Sequence, residues 1–289
     1  MSVTHALSAP ALAPNRSVAA AVIGNAMEWY DFAVYGFFAS VIGKLFFPAS
    51  EPSLSLIAAL GVFAVGFLMR PIGGIVFGYV GDRYGRTVSL FLSIGAMAVG
   101  TLAIGLLPTY ETAGMLAPIL IITCRIVQGL AVGGEYATSI VVLVESAPLR
   151  RRGFRGSLAC LGAGAGNLLG SATGAFLFSI LDKDQVDTWG WRIPFLIGVV
   201  VALAGIYLRR NFATEHSPGP KSSGTFLQTV LAQWPAALRV AGINTVAAIG
   251  FYMIFVYLIQ YMMEFGHIDQ AKALNINSMN MAVLLLVIP

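Results

Sequence analysis

Seven stretches of nearly continuous apolar sequence, at about 17–47, 54–80, 88–107, 113–145, 154–181, 190–208 and 238–263, constrain this chain more than anything else in it. An eighth opens near 278. Each of the seven reaches the ~20 residues that a helix needs to cross the hydrocarbon core of a bilayer. In lipid the backbone must satisfy its own hydrogen bonds, so only helices and closed barrels span. The runs are continuous rather than alternating, which excludes barrel strands. Composition agrees, since 57% of the 289 residues are hydrophobic and 10% charged, against roughly 25% charged in soluble domains. The expectation is an all-α polytopic membrane protein.

Basic residues set the expected orientation. Taking the links alternately, one side holds Arg16, Arg83, Arg86, Arg150, Arg151, Arg152, Arg155, Arg209, Arg210, Lys221 and Arg239, eleven residues, and the other holds Lys44, Lys183, Arg192 and Lys272, four. This bias puts the N-terminus and the 81–87, 146–153 and 209–237 links in the cytosol, and Asp182, Asp184 and Asp187 outside. The same placement argues against a nucleic-acid partner, although the net charge is +4 and the pI about 9.2. Residues 1–16 read as a cytosolic tail without the pattern of a cleavable signal. The 209–237 link, with its HSPGPKSSG, reads as a linker from a six-helix bundle over 17–208 to the start of a second bundle over 238–289. The last apolar run reaches Pro289, so the chain reads as roughly two-thirds of a longer two-bundle carrier. Cys124 and Cys160 fall inside apolar runs and read as small buried residues, not a disulfide. His5, His216 and His267 all fall outside the spans, so neither a metal site nor a histidine relay is expected, and no cofactor either.

Charge inside the spans is rare and therefore informative. A carboxylate at the bilayer centre costs at least ~2.5–3.5 kcal/mol unless it faces protein, water or a partner. The first span carries GNAMEWYDFAVYG, which sets Glu28 and Asp31 one helical turn apart, on one face with Asn25 and Tyr35. The fourth carries Arg125, Gln128 and Glu135, with Gln128 and Glu135 seven residues apart on a shared face. Arg70, in the second, lies 12 residues from Asp82, and Glu28 lies 12 from Arg16, which is roughly 18 Å in at 1.5 Å per residue. Three carboxylates and two guanidiniums at one level can pair and lower one another's burial cost. They read as either a static salt-bridge network or a proton relay with a substrate anchor. A carboxylate beside an arginine can trade its ion-pair partner for a proton as a cavity opens. Arg70, next to Pro71 and two glycines, also reads as a kink residue.

The link between the second and third spans reads GYVGDRYGRT. Its bland reading is a basic cytosolic loop. The sharper one is a latch, with Gly78 and Gly85 for tight turning and Asp82, Arg83 and Arg86 as a compact charge network. This stretch resembles the signature loop of the major facilitator superfamily, G-x-x-x-D-R-x-G-R. GNAMEWYDF, RPIGG (70–74), QGLAVGGEYA (128–137) and GWRIPF (190–195) resemble the metabolite:proton symporter family within it. PTYETAGMLAPIL (108–120) and GGEYATSIVVLVESAP (133–148) are most similar to its osmoregulatory proline/betaine branch. The resemblance implies the major facilitator fold and proton-coupled import of a small metabolite such as proline or glycine betaine. The family's other cargoes, citrate, 2-oxoglutarate and shikimate, make a carboxylate the alternative. The resemblance further implies a multi-pass protein of the bacterial inner membrane, not an enzyme, and expected as a monomer.

Two further patterns belong to this reading. Gly162, Gly164, Gly166, Gly170 and Gly174 in the fifth span provide small residues for close helix contact in lipid. No proline occurs between Pro148 and Pro194, which argues against a drug-antiporter helix. In the seventh span, Tyr257 and Tyr261, one turn apart, read either as interfacial belt residues or as an aromatic cage for a quaternary ammonium. From other classes, the acidic pair allows an intramembrane enzyme, and the chain's length allows a non-transporting remnant.

Overall fold

The computed structural model describes residues 15–84, 86–133, 135–145, 147–212 and 226–288, and every regular element among them is helical. The first span comprises α1 (Asn15–Phe37) and α2 (Ala39–Phe46), and the second α3 (Pro52–Leu68) and α4 (Arg70–Tyr84). The third is α5 (Arg86–Leu106). After the short α6 (Tyr110–Ala113), the fourth comprises α7 (Leu116–Val132) and α8 (Glu135–Glu145). The fifth is α9 (Arg152–Ile180); α10 (Lys183–Thr188) leads to the sixth, α11 (Ile193–Phe212). The seventh runs from α12 (Phe226–Tyr252) through a π-turn (Met253–Tyr257) into α13 (Leu258–Glu264), and the eighth is α14 (Gln270–Val287).

Several runs that read as single helices are therefore broken. The second breaks at Met69, just before Pro71, whose missing N–H removes a hydrogen bond from the ladder. The fourth breaks at Gly133. Helix also reaches further into the long link than its composition suggests, ending at Phe212 and resuming at Phe226. Among the described residues, Pro52–Gly81 and Trp234–Glu264 are each long and apolar enough to cross a membrane, at mean hydropathy 2.1 and 1.9.

Close packing here is made by backbone. Lipid tails are as apolar as leucine, so helices in a bilayer associate through close contact rather than hydrophobic drive. α9 lies along α1, and a Cβ on Gly162 or Gly166 would stand 2.4 Å from the Val22 oxygen or 2.1 Å from that of Ala26. α4 crosses α7 as tightly, with a Cβ on Gly73 2.0 Å from the Leu130 oxygen. Gly78 behaves differently from its expected role, because nothing stands within 4 Å of its Cβ position and α4 runs through it unturned. Cys160 is exposed rather than buried, whereas Cys124 is half-buried, and both are free.

Polar contacts tie the remaining seams. Ser171 of α9 donates to the Leu274 oxygen of α14 at 3.1 Å, and accepts from Asn277 at 3.1 Å and Ser278 at 2.9 Å. Gln270, at the start of α14, donates to the Phe37 oxygen where α1 ends. Arg192 stacks on Trp191 and donates to the oxygens of Gly105 and Leu107, at 3.0 and 2.7 Å, closing the end of α5. Lys44 pairs with Asp187 on the same side of the molecule.

Candidate functional site

Asp31 is the centre of the buried polar network. It stands 5% exposed on α1 and accepts hydrogen bonds from Thr101 of α5 and from the Gln128 amide of α7, the latter at 3.3 Å. The Gln128 carbonyl accepts in turn from Arg125 Nη1 at 2.8 Å. The guanidinium and the carboxylate are thus joined through one amide rather than in a direct pair. An amide held between a donor cation and an acceptor anion is polarised along its length, which strengthens both bonds in a low dielectric. α11 completes the enclosure. A Cβ on Gly198 would stand 2.8 Å from Asp31 Oδ1 and 3.0 Å from Thr101 Cγ2, so only glycine leaves room for the carboxylate there. That oxygen has no hydrogen-bond partner.

Arg125 is fully buried. Its guanidinium lies 4.1 Å from the centroid of Tyr35, 4.7 Å from Phe32 and 5.6 Å from Phe63. Nε and Nη2 have no hydrogen-bond partner. Tyr35 serves as its platform while donating its own hydroxyl to the Ala59 oxygen at 3.3 Å. Arg70 stands 3.6 Å from Glu28, and its guanidinium faces Phe67, Phe32 and Trp29. Phe32 therefore has a guanidinium against it twice.

The polar face expected on α1 is buried throughout, yet different neighbours divide it. Asn25 bonds to Ser139 of α8 and to the Ala159 oxygen of α9, at 3.0 and 3.5 Å, and works as a staple outside the charged centre. Glu28 meets Arg70, and Asp31 meets Thr101 and Gln128. The helices crossing α1 change with height, so residues one turn apart meet different partners. Glu135 opens α8 beyond the Gly133 break, half-buried. The seven-residue spacing therefore no longer sets its face relative to Gln128.

Of the two readings of Tyr257 and Tyr261, belt or cage, their exposure of 44% and 48% fits the interfacial belt. The π-turn widens the helix by one residue and rotates the segment beyond it. The tyrosine turned inward is Tyr252, packed edge-to-face on Phe63 and Phe67 at 5.9 and 5.4 Å. In the latch motif, Arg83 is exposed and donates to the Tyr79 hydroxyl. Gly85 and the side chains of Asp82 and Arg86 lie outside the described residues.

The site holds groups that the motifs did not single out: Thr101, Gly198, Phe63, Phe67, Trp29 and Tyr252. Phe63 and Phe67, one turn apart in the span that carries Arg70, gave a helical-spacing signal. Thr101 is a polar residue within an apolar run. Gly198 gave no signal.

Helices broken around a buried charged centre are arranged here in the major facilitator fold. The backbone matches that fold in solved structures. One is a partially occluded inward-open form of the xylose transporter XylE from Escherichia coli, at TM-score 0.65 and 20% identity over 94% of this chain and 70% of that one. Another is a D-xylose–proton symporter, at TM-score 0.68 and 19% identity over 94% and 66%. The family model "Sugar (and other) transporter" matches residues 17–218, and the chain belongs to that family. Among curated relatives, proline/betaine transporters of Salmonella typhimurium and Escherichia coli are 39% and 38% identical over 274 residues, 88% of this chain and 54% of theirs. A glycine betaine/proline/ectoine/pipecolic acid transporter of Dickeya dadantii is 36% identical over the same extent. The chain spans about half the length of these relatives.

Proposed function

We propose that this chain forms the first bundle, and the start of the second, of a secondary active transporter that imports a small zwitterion together with a proton. The observation that carries the reading is the Arg125–Gln128–Asp31 relay, which places a buried carboxylate and a buried guanidinium one amide apart. Asp31 takes the proton, with Glu28 as its neighbour one turn away. Arg125 receives the carboxylate of the substrate, Tyr35 and Gln128 hold it in position, and Arg70 and Glu135 belong to the same polar lining. With neither bound, Asp31 and Arg125 compensate one another through Gln128. A proton alone leaves Arg125 without its counter-charge, and a substrate carboxylate that takes Arg125 leaves Asp31 to be neutralised by the proton, so rocking is allowed with both bound or with neither. The relatives named as proline/betaine transporters support a zwitterion as cargo.

The bias of basic residues supports a cytosolic N-terminus in a bacterial inner membrane. Residues 1–16 then form a cytosolic tail, 17–208 the first bundle, 209–237 the zone of the connecting link and 238–289 the start of the second bundle. Gly78, Asp82, Arg83, Gly85 and Arg86 form a cytosolic gate against the second bundle, and the carrier works as a monomer.

The test is uptake of labelled glycine betaine, proline, citrate and 2-oxoglutarate into vesicles carrying the protein, driven by an imposed pH gradient. Betaine or proline uptake abolished by an uncoupler is the expected result, and uptake indifferent to the gradient refutes proton coupling. A second reading, symport of a di- or tricarboxylate, draws on the free donors of both Arg70 and Arg125. Citrate or 2-oxoglutarate uptake would establish it.

A further inference from the structure

The guanidinium of Arg70 is a cation seated among aromatic rings. Its Cζ lies 4.3 Å from the centroid of Phe67, 4.4 Å from Phe32 and 5.3 Å from Trp29. Tyr252 closes the cluster from the seventh span, against Phe67. Rings grouped around one positive charge are the arrangement that recognises quaternary ammonium ligands. The other ties on Arg70 are thin. Nε and Nη2 are buried without a hydrogen-bond partner, and Glu28 stands 3.6 Å off, longer than a good charge-assisted bond. Trp29, Phe67 and Arg70 are half-buried, so the cage is not sealed.

We propose that the Trp29–Phe32–Phe67 cage receives the ammonium group of the transported zwitterion, and that Arg70 is a tethered cation occupying it while the substrate is away. This rests on the zwitterion reading above and adds where each end of the molecule goes. A trimethylammonium or pyrrolidinium group entering the cage displaces one cation with another, so the charge against the rings is unchanged. The released guanidinium turns its unmade donors to the substrate carboxylate. Arg125, against the same Phe32 ring with Nε and Nη2 also unmade, meets that carboxylate from the other side. A cation without a carboxylate displaces Arg70 and gives it nothing to bind. An anion without an ammonium leaves the cage shut. Both are therefore poor ligands, which makes the exchange a device for selecting zwitterions.

The experiment is equilibrium binding of labelled tetramethylammonium and of glycine betaine to the protein in lipid nanodiscs. Arg70→Gln empties the cage, and its tetramethylammonium affinity is expected to rise at least tenfold over the unaltered protein, with Arg70→Lys staying near the unaltered value. Phe67→Leu, which keeps apolar volume and removes a ring, should lower that gain at least fivefold, and Phe67→Tyr should restore it. In the unaltered background Phe67→Leu should weaken glycine betaine at least tenfold while competition by acetate stays constant, a readout that survives if Arg70→Gln does not fold. An Arg70→Gln protein that binds tetramethylammonium no better, or a Phe67→Leu protein that weakens betaine and acetate alike, makes Arg70 a fixed strut and overturns the proposal. Betaine uptake without the tetramethylammonium gain defeats the cage alone. Citrate uptake with the gain intact defeats the zwitterion reading and leaves the cage.

Discussion

A methyl group on Gly133 would stand 2.0 Å from the carbonyl oxygen of Arg70, so the backbones of these two residues touch. The crossing of α4 and α7 therefore fixes the spacing of the backbones from which Arg70 and Arg125 reach the centre. Gly133→Ala must push the helices apart, and overpacking of this kind costs about 1–3 kcal/mol. Thermal unfolding in detergent should show a clearly lower midpoint. Gly78→Ala, with open space at its Cβ, is the control and should change little; equal midpoints for the two variants would contradict the contact.

Asp31→Asn keeps a side chain that Thr101 and Gln128 can still engage, so the fold should survive. It removes the titrating group. Accumulation driven by a pH gradient should be lost, while exchange of labelled for unlabelled substrate continues. A variant that still accumulates substrate as the outside is acidified would end the role given to Asp31.

Gly198→Ala tests the same carboxylate from the opposite wall. Its methyl would stand 2.8 Å from Asp31 Oδ1, forcing the carboxylate off Gln128 or α11 away from α1. Transport should fall at least tenfold, as expected when a group in a preorganised site is misplaced by about 1 Å, with a displaced pH profile. A profile identical to that of the unaltered protein would place the carboxylate elsewhere.

Arg192 and Lys44 offer a contrast in stability alone. Arg192→Ala strands two carbonyls at the end of α5, and losing charged hydrogen bonds of this type costs about 1.5–3 kcal/mol each. Lys44→Ala removes an exposed pair with Asp187, worth roughly 0–1 kcal/mol. Denaturation midpoints should rank them in that order.

Tyr252→Leu should raise the KM for substrate several-fold, because its ring closes the cluster on Phe63 and Phe67. Tyr257→Leu and Tyr261→Leu should leave KM unchanged, since both side chains are exposed rather than packed in this cluster. The opposite ranking in an uptake assay would return the cage to the outer pair.

The helical class and its charged centre are legible in the sequence because burial in lipid is so unforgiving that polar residues in apolar runs announce themselves. Glu28, Asp31, Arg125 and Gln128 are buried and Arg70 half-buried, as their spacing requires. Partnership is less legible. Periodicity places residues on a face of their own helix but does not say which helix crosses at that height, so it groups Asn25 with a centre that Asn25 does not join. Backbone irregularity is invisible where no proline marks it. Beyond the Gly133 break the spacing from Gln128 no longer sets the face of Glu135, and the π-turn exchanges one tyrosine for another. Gly198 matters by what it lacks, and an absent side chain leaves no mark in a pattern of side chains.

The π-turn at Met253–Tyr257 has a bearing on how such a chain tolerates change in length. The surplus residue there lets Tyr252 and Gln260, eight positions apart, face inward on one side of the helix, where an uninterrupted α-helix would set them about 80° apart. Deleting a single residue from the turn would let it close into an ordinary α-turn with Gln260 still in its inward phase. Deleting one between the turn and Gln260, where no surplus absorbs the loss, would swing everything beyond it by about 100°. The π-turn thus acts as slack in the span, the one stretch where a codon can be lost without altering the sense of the positions downstream.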